Sequence, residues 1–254
     1  MQRKTWTWNT VAIAIVAMLA QSAEAQQPAS AAAVDPGAVK ALNAMAVYLR
    51  NLKSFEVESA TTTDNVQDDG QLVQHAATIS FLVQMPNRLV ADAASDSSDR
   101  LYVYDGKSFT LYARRIGYYA TVPAPPTLRE LDDVLQDKYG IEVPLVDLFR
   151  FGYPGWNASN LKAAKDIGPS VVGGTTCEHY AFREDELDWQ IWIQKGDYPL
   201  PRKLVITTTS DEARPQFSAT YTWNLAPSFN DAAFTFVPPA SAKKIVLADL
   251  GIGK

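Results

Sequence analysis

The sequence predicts a mainly β fold of the α+β class, built from antiparallel strands with a few helices. The hydrophobic period changes from 3.6 to 2 after Leu52, as expected where a helix gives way to strands. Asp105-Gly106, between two apolar runs, suits the positive φ angles of a tight hairpin turn. Residues 216–225 alternate between apolar and polar side chains, which is typical of an antiparallel sheet that packs on one face.

The chain begins with the features of a cleaved secretory signal. Arg3 and Lys4 precede an apolar run over residues 11–20, and Ala23-Glu24-Ala25 has the small-x-small pattern of a cleavage site. The run is much shorter than the roughly 20 residues that span a bilayer, so we expect cleavage after Ala25 rather than a short uncleaved anchor. The predicted organisation is a signal peptide over 1–25, a flexible leader over 26–34, and a single periplasmic domain over 35–254 that does not span the membrane.

Charge and cysteine content exclude some classes of partner and of stabilisation. Loss of Arg3, Lys4 and Glu24 with the signal leaves 21 basic and 27 acidic residues, a formal charge of −6. Nucleic acid binding needs a clustered basic surface, so we expect no nucleic-acid partner. Cys177 is the only cysteine, so no intramolecular disulfide can form, and a buried structural role is favoured over a reactive thiol.

The first half of the chain predicts a helix, a β-meander and then a helical insertion. Asp35 and Pro36 form an N-cap and first-turn pair for a helix that ends near Leu52. Strands are expected over 71–84, 88–95, 101–104, 108–113 and 117–122. Thr127 then caps a helix that continues to about Lys138, and a second short helix is predicted over 143–151.

The second half predicts another meander. Strands are expected from near residue 164 and over 175–184, 188–194, 201–209 and 216–225, with Gly173-Gly174 as a turn. Phe234 and Phe236 then alternate with polar residues before Pro238-Pro239, which predicts that the sheet ends there.

Five short motifs in this order resemble a group of predicted periplasmic proteins, the domain of unknown function 2092, which is distantly similar to the LolA and LolB lipoprotein carriers. The motifs are Met85-Pro86-Asn87-Arg88-Leu89, Gly174-Thr175-Thr176-Cys177-Glu178-His179-Tyr180, Trp189-Gln190-Ile191-Trp192-Ile193, Leu200-Pro201-Arg202-Lys203-Leu204 and Phe234-Thr235-Phe236-Val237-Pro238-Pro239. The resemblance implies a half-open antiparallel β-barrel with helices that cover its concave face. It also implies that no cofactor is bound and no reaction is catalysed.

No pattern of catalytic or metal-ligating residues stands out. His75, His179 and Cys177 cannot complete a tetrahedral zinc site without a further pair of ligands. The chain has no G-x-S-x-G elbow, and the acidic run at 184–188 is better explained as a solvated turn than as a glycosidase pair. We therefore expect a protein that is not an enzyme, and an exported hydrolase is the weakest of three alternatives.

The aromatic and apolar residues suggest a binding role, although aromatic residues on strands are most often ordinary core. We predict a pocket between sheet and helices that holds a lipid or the acyl chain of a lipoprotein. Its lid residues are predicted to be Leu131, Leu135, Leu148 and Phe149. Its wall residues are predicted to be Tyr102, Phe109, Trp189, Ile191, Tyr221 and Trp223. The alternative is a periplasmic sensor or scaffold that binds a protein partner.

Overall fold

The computed structural model describes residues 34–141, 143 and 158–249. Within these residues the chain forms two α-helices and one twelve-stranded sheet. The helices are α1 (Pro36–Asn51) and α2 (Leu128–Tyr139). The strands are β1 (Ser54–Val66), β2 (Leu72–Gln84), β3 (Arg88–Ser95), β4 (Asp99–Tyr104), β5 (Ser108–Ala113), β6 (Tyr118–Pro123), β7 (Ala163–Val172), β8 (Thr175–Arg183), β9 (Leu187–Gln194), β10 (Pro201–Thr208), β11 (Gln216–Asn224) and β12 (Lys243–Lys244).

The sheet is open, and its two meanders are joined in the middle. The strand order is β12-β6-β5-β4-β3-β2-β1-β11-β10-β9-β8-β7. The joint is the antiparallel pairing of β1 with β11, in which Ser59 lies opposite Tyr221. All pairings are antiparallel except that of β12 with β6. The prediction of a mainly β, half-open antiparallel fold is therefore confirmed, and the two meanders form one continuous sheet.

Helix α1 begins and packs as its sequence indicates. The side chain of Asp35 accepts a hydrogen bond from the backbone N–H of Gly37 at 2.7 Å, and Pro36 occupies the first turn. The helix buries one stripe of side chains, among them Leu42, Met45 and Leu49, in the same cluster as the inward face of the sheet. The predicted bounds of this helix are confirmed to within a residue.

Helix α2 is tied to the sheet at its N-terminal end. The hydroxyl of Tyr104 donates a hydrogen bond to the carbonyl of Pro125 at 2.5 Å, and the N–H of Leu128 donates to the carbonyl of Pro86 at 2.9 Å. Burial raises the pKa of Tyr104 to about 12, with a smaller contribution from Glu130, so the phenol stays protonated and remains a donor. The second predicted helix, over 143–151, lies outside the described residues apart from Val143.

The segment after β11 differs from the prediction that strand alternation continues through Phe234 and Phe236. Residues Asp231–Phe234 form a 3₁₀ turn, and the chain then crosses the outer face of the sheet. Phe234 is buried, with the guanidinium of Arg88 5.7 Å from its ring centre, and the ring of Phe236 packs 5.2 Å from that of Tyr119. Phe234 is buried between the chain after β11 and the outer face of β3, where its ring also contacts Phe229, and alternation alone cannot distinguish such a site from a strand.

This segment, residues 231–249, is termed the C-terminal belt. Its backbone reaches the edge of the sheet, where the N–H of Lys243 donates to the carbonyl of Gly117 and that of Ile245 donates to Tyr119, both at 2.8 Å. Farther along, the Lys138 ammonium of α2 lies 3.7 Å from a carboxylate oxygen of Asp249. The belt therefore covers the β6 edge and continues to the end of α2.

The β4–β5 turn also differs in detail from the prediction of a tight turn with positive φ at both central residues. Three residues, 105–107, connect the strands, and of these only Gly106 has a positive φ, at 89°. The carboxylate of Asp105 accepts hydrogen bonds from the N–H groups of Lys107 and Ser108 at 2.8 and 2.7 Å. Asp105 thus stabilises the turn through its side chain.

Candidate ligand groove

The inward face of the sheet gathers the predicted wall residues. Strand register places Tyr102 opposite Ala91 and Leu111, and Ile191 opposite Tyr180 and Leu204, on the face that the helices cover. All six belong to, or pack against, the same hydrophobic cluster as α1 and α2. Five of them are buried: Tyr102, Phe109, Trp189, Ile191 and Tyr221.

The two tryptophans of β9 lie on opposite faces. Trp189 points inward, stacks on Phe182 with 4.1 Å between ring centres, and donates its indole N–H to Glu184 Oε1 at 3.0 Å. Trp192 lies on the outer face, stacked 3.9 Å from His179 and beneath the ammonium of Lys203. The register therefore assigns Trp189 and Ile191 to the wall and Trp192 to the outer surface.

Two of the four predicted lid residues lie in the part of the chain that the structure describes. Leu131 and Leu135 are buried at 2 and 0% exposure and join the core cluster from α2. Leu148 and Phe149 lie outside the described residues. Whether any lid or wall residue contacts a ligand stays a prediction.

A groove of about 440 Å³ lies between the sheet and the C-terminal end of α2, within the range typical of small-molecule sites. It is lined by residues of β2 to β5 and by the turn that ends α2. Those residues are Ala77, Ile79, Ala93, Ala94, Ser95, Ser98, Arg100, Tyr102, Leu111, Gly140 and Ile141. Of the predicted wall residues only Tyr102 is in this set, and the other five are packed in the core.

The groove exists because small side chains stand at inward positions of β2 and β3. Ala77 and Ala93 both line the groove, and Ala93 lies between Ile79 of β2 and Arg100 of β4. The side nearest the helix is made by Gly140, which adopts the left-handed conformation at φ 60° and ends α2. The N–H of Ile141 then donates to the carbonyl of Leu135 at 2.9 Å, which fixes Ile141 as part of the wall.

The sequence interpretation missed Ile79, Ala93, Arg100 and Ile141 because it searched for large aromatic residues. A cavity needs small residues next to large ones, and alternation of alanine with larger side chains on one strand face was the available signal. That signal is weak, since alanine is also common on the surface of sheets.

Two acidic residues near the groove, Asp92 and Asp99, are already paired on the outer face. Both oxygens of Asp92 accept hydrogen bonds from Arg114, at 2.6 and 2.7 Å, and Asp99 accepts a third at 2.8 Å. The hydrogen bonds that Arg114 donates to Asp92 raise the pKa of the guanidinium above its ordinary value. Asp96 lies 3.6 Å from the imidazole of His75. The positive charge of Arg114 is therefore already paired with two carboxylates of the sheet.

The histidine and cysteine of β8 do not form a reactive site in the described structure. Cys177 is fully buried, its Sγ lies 3.5 Å from the carbonyl of Thr175, and burial raises the pKa of its thiol. His179 Nε2 lies 3.0 Å from Gln190 Oε1. Among the described residues no group of three or more His, Cys, Asp or Glu is arranged to hold a metal ion.

Comparison with known families identifies the chain. The family described as predicted periplasmic protein (DUF2092) matches residues 38–248. The chain belongs to this family. The match includes both helices and all twelve strands apart from the first two residues of α1, and the family description places its members in the periplasm. No curated protein matches the sequence.

Solved structures similar to this family member are distant in sequence. LprF from Mycobacterium bovis has 14% identity and a TM-score of 0.46, over 83% of this chain and 99% of LprF. MucB, solved in complex with MucA(peri), has 14% identity and a TM-score of 0.43, over 82% of this chain and 62% of the other. A LolA superfamily protein from Nitrosomonas europaea has 9% identity and a TM-score of 0.39, over 78% and 97%. In the part of the chain that the structure describes, no helix is long and apolar enough to cross a membrane.

Proposed function

We propose that this protein is a periplasmic carrier that holds the acyl chain of a lipid or lipoprotein in the groove between β2–β5 and the end of α2. The observation that carries the proposal is the groove itself, which the side chains of the described residues leave open beside the buried core of the sheet. Its floor includes Ile79 and Tyr102, which are 7 and 2% exposed. These two side chains offer an apolar surface to a hydrocarbon chain.

The groove has room for one acyl chain. A methylene group takes up roughly the share of volume of a water molecule, about 30 Å³, so a groove of 440 Å³ holds about fifteen such groups. Burial of ten of them at about 0.8 kcal/mol each supplies about 8 kcal/mol, which corresponds to a dissociation constant near 1 μM. Binding by burial is therefore strong enough for transport and weak enough for release.

The groove supports binding rather than catalysis. Arg100 is the single charged residue among those that line it, and general acid–base chemistry requires a positioned group that exchanges a proton near neutral pH. The residues that line the groove include no carboxylate, histidine or cysteine. We therefore propose that the ligand leaves chemically unchanged.

Native mass spectrometry with lipid extraction tests this proposal. The protein is purified from a periplasmic fraction without detergent and sprayed from a volatile buffer, before and after the addition of a 16-carbon alcohol. We expect an acyl-bearing ligand bound one to one, or uptake of one added alcohol per chain. A ligand-free mass together with no uptake of the alcohol would refute the proposal and favour the protein-partner alternative.

A further inference from the structure

The mouth of the groove carries a guanidinium group that has no charged partner among the residues the structure describes. Arg100 lies on β4 between Ala93 of β3 and Ala113 of β5, on the same face as Tyr102, and its side chain lines the groove while exposed to solvent. Among the described residues it forms neither an ion pair nor a side-chain hydrogen bond. The groove thus combines the apolar side chains of Ile79 and Tyr102 with one exposed positive charge.

Other arginines near this site have partners. Arg114, at the end of the neighbouring strand, is held by Asp92 and Asp99, and Arg88 of β3 bonds to Asp231 of the belt. Asp92 and Asp99 are therefore occupied on the outer face, and Asp96 lies 3.6 Å from the imidazole of His75. An anion at the groove mouth would meet Arg100 without competition from these carboxylates.

From this geometry we propose that the groove binds a single-chain fatty acid, with the carboxylate paired to Arg100 and the hydrocarbon chain against Ile79, Ala93 and Tyr102. The inference rests on the proposed function and adds to it the class of head group. A guanidinium presents two parallel N–H donors that match the two oxygens of a carboxylate. The volume of the groove favours one chain of about fifteen carbons over a two-chain phospholipid.

The hydroxyl group of Ser98 lies at the same opening and offers a second donor to the head group. Ser95 is less available, because its Oγ accepts a hydrogen bond from the N–H of Ser98 at 3.0 Å and lies 3.4 Å from the Ser98 carbonyl. Arg100 is therefore the main determinant of head-group charge, and Ser98 contributes orientation.

The test compares ligands of equal chain length and different head-group charge. Palmitate, hexadecanol and hexadecyltrimethylammonium are titrated, each below its aggregation limit, into the full chain purified without lipid. We expect wild-type protein to bind palmitate about fivefold more tightly than hexadecanol, the size typical of an ion pair that water partly screens. The cationic amphiphile is expected to bind more weakly than hexadecanol, and added salt should reduce both differences.

Variants test whether the guanidinium of Arg100 causes the preference for palmitate. Arg100→Gln should remove the preference for palmitate over hexadecanol, whereas Arg100→Lys should keep part of the preference. Lys107→Gln is the matched control, because it removes one exposed positive charge from the opposite end of β4. It should leave the binding of all three ligands as in the wild type.

The possible failures are distinguishable. Equal binding of palmitate and hexadecanol, unchanged in Arg100→Gln, overturns the head-group assignment and leaves the carrier proposal in place. Tighter binding of the cationic amphiphile also overturns it. Absence of binding by any of the three ligands overturns both proposals.

Discussion

Replacement of Ala93 by leucine should close much of the groove. Ala93 is half-buried on the inward face of β3, and its side chain lines the groove next to Arg100 and Ile79. Leucine adds three carbon atoms at this point, and each occupies the space of about one ligand methylene. At about 0.8 kcal/mol per displaced methylene, the loss of binding free energy is about 2.4 kcal/mol, or a roughly 60-fold weaker dissociation constant.

The assay is isothermal titration of Ala93→Leu with hexadecanol, beside thermal unfolding of the same preparation. The added carbons enter unfilled space, so the unfolding midpoint should stay within a few degrees of wild type. Ala76→Leu is the matched control, because Ala76 is exposed on the opposite face of β2 and should bind hexadecanol normally. Normal affinity in a folded Ala93→Leu would refute the assignment of the groove, and so would the 1–3 kcal/mol loss of stability typical of an overpacked core.

Three further predictions concern parts of the molecule outside the groove. Phe234→Ala should lower the free energy of unfolding by about 3–5 kcal/mol in urea titration, because the ring is only 2% exposed where the belt meets the sheet; a loss below about 1 kcal/mol would contradict this packing. Ser59→Ala should leave stability unchanged or raise it by up to about 1 kcal/mol, because Ser59 Oγ is buried with no hydrogen-bond partner in the described structure; marked destabilisation would show that the hydroxyl is satisfied. Burial chiefly, and then the charge of Lys203, lower the pKa of His179, while Gln190 opposes the shift. The folded state therefore disfavours the imidazolium, and stability present above the ordinary pKa of about 6.5 should decline as pH falls through the lower folded value. Thermal midpoints between pH 7.5 and 5 should decline less in His179→Asn than in wild type or His75→Asn, and an equal decline in all three would exclude His179 as the cause.

The strands were predictable because their signals are local. Alternation and turn residues gave the exact bounds of β3 and β5 and placed Trp189, Tyr221 and Trp223 on strands. The face of each strand required a partner, since Trp189 and Trp192 both fit an apolar wall and only the pairing with β8 and β10 separates them.

Features that depend on distant segments were not predictable in this way. The hydrogen bond from Thr220 Oγ1 to the carbonyl of Ala60 joins residues 160 positions apart, and nothing local indicates that β1 and β11 pair. The parallel contact of Lys243 with Tyr118 is similar, because two residues carry no detectable period. The groove was not predicted because it depends on the small side chain of Ala93. That side chain leaves a groove only together with Ile141, which a distant segment contributes to the same lining.

The C-terminal belt affects the order in which the strands of the sheet can pair during synthesis. The chain emerges from its N-terminus, so β1 to β6 are available long before residues 243–245 can pair with β6 and before β11 can pair with β1. In that interval the first meander presents two unpaired strand edges, each a template for association with another chain. Both edges gain their partners only from the last third of the sequence. A ribosome-released fragment that ends before β11 should therefore self-associate.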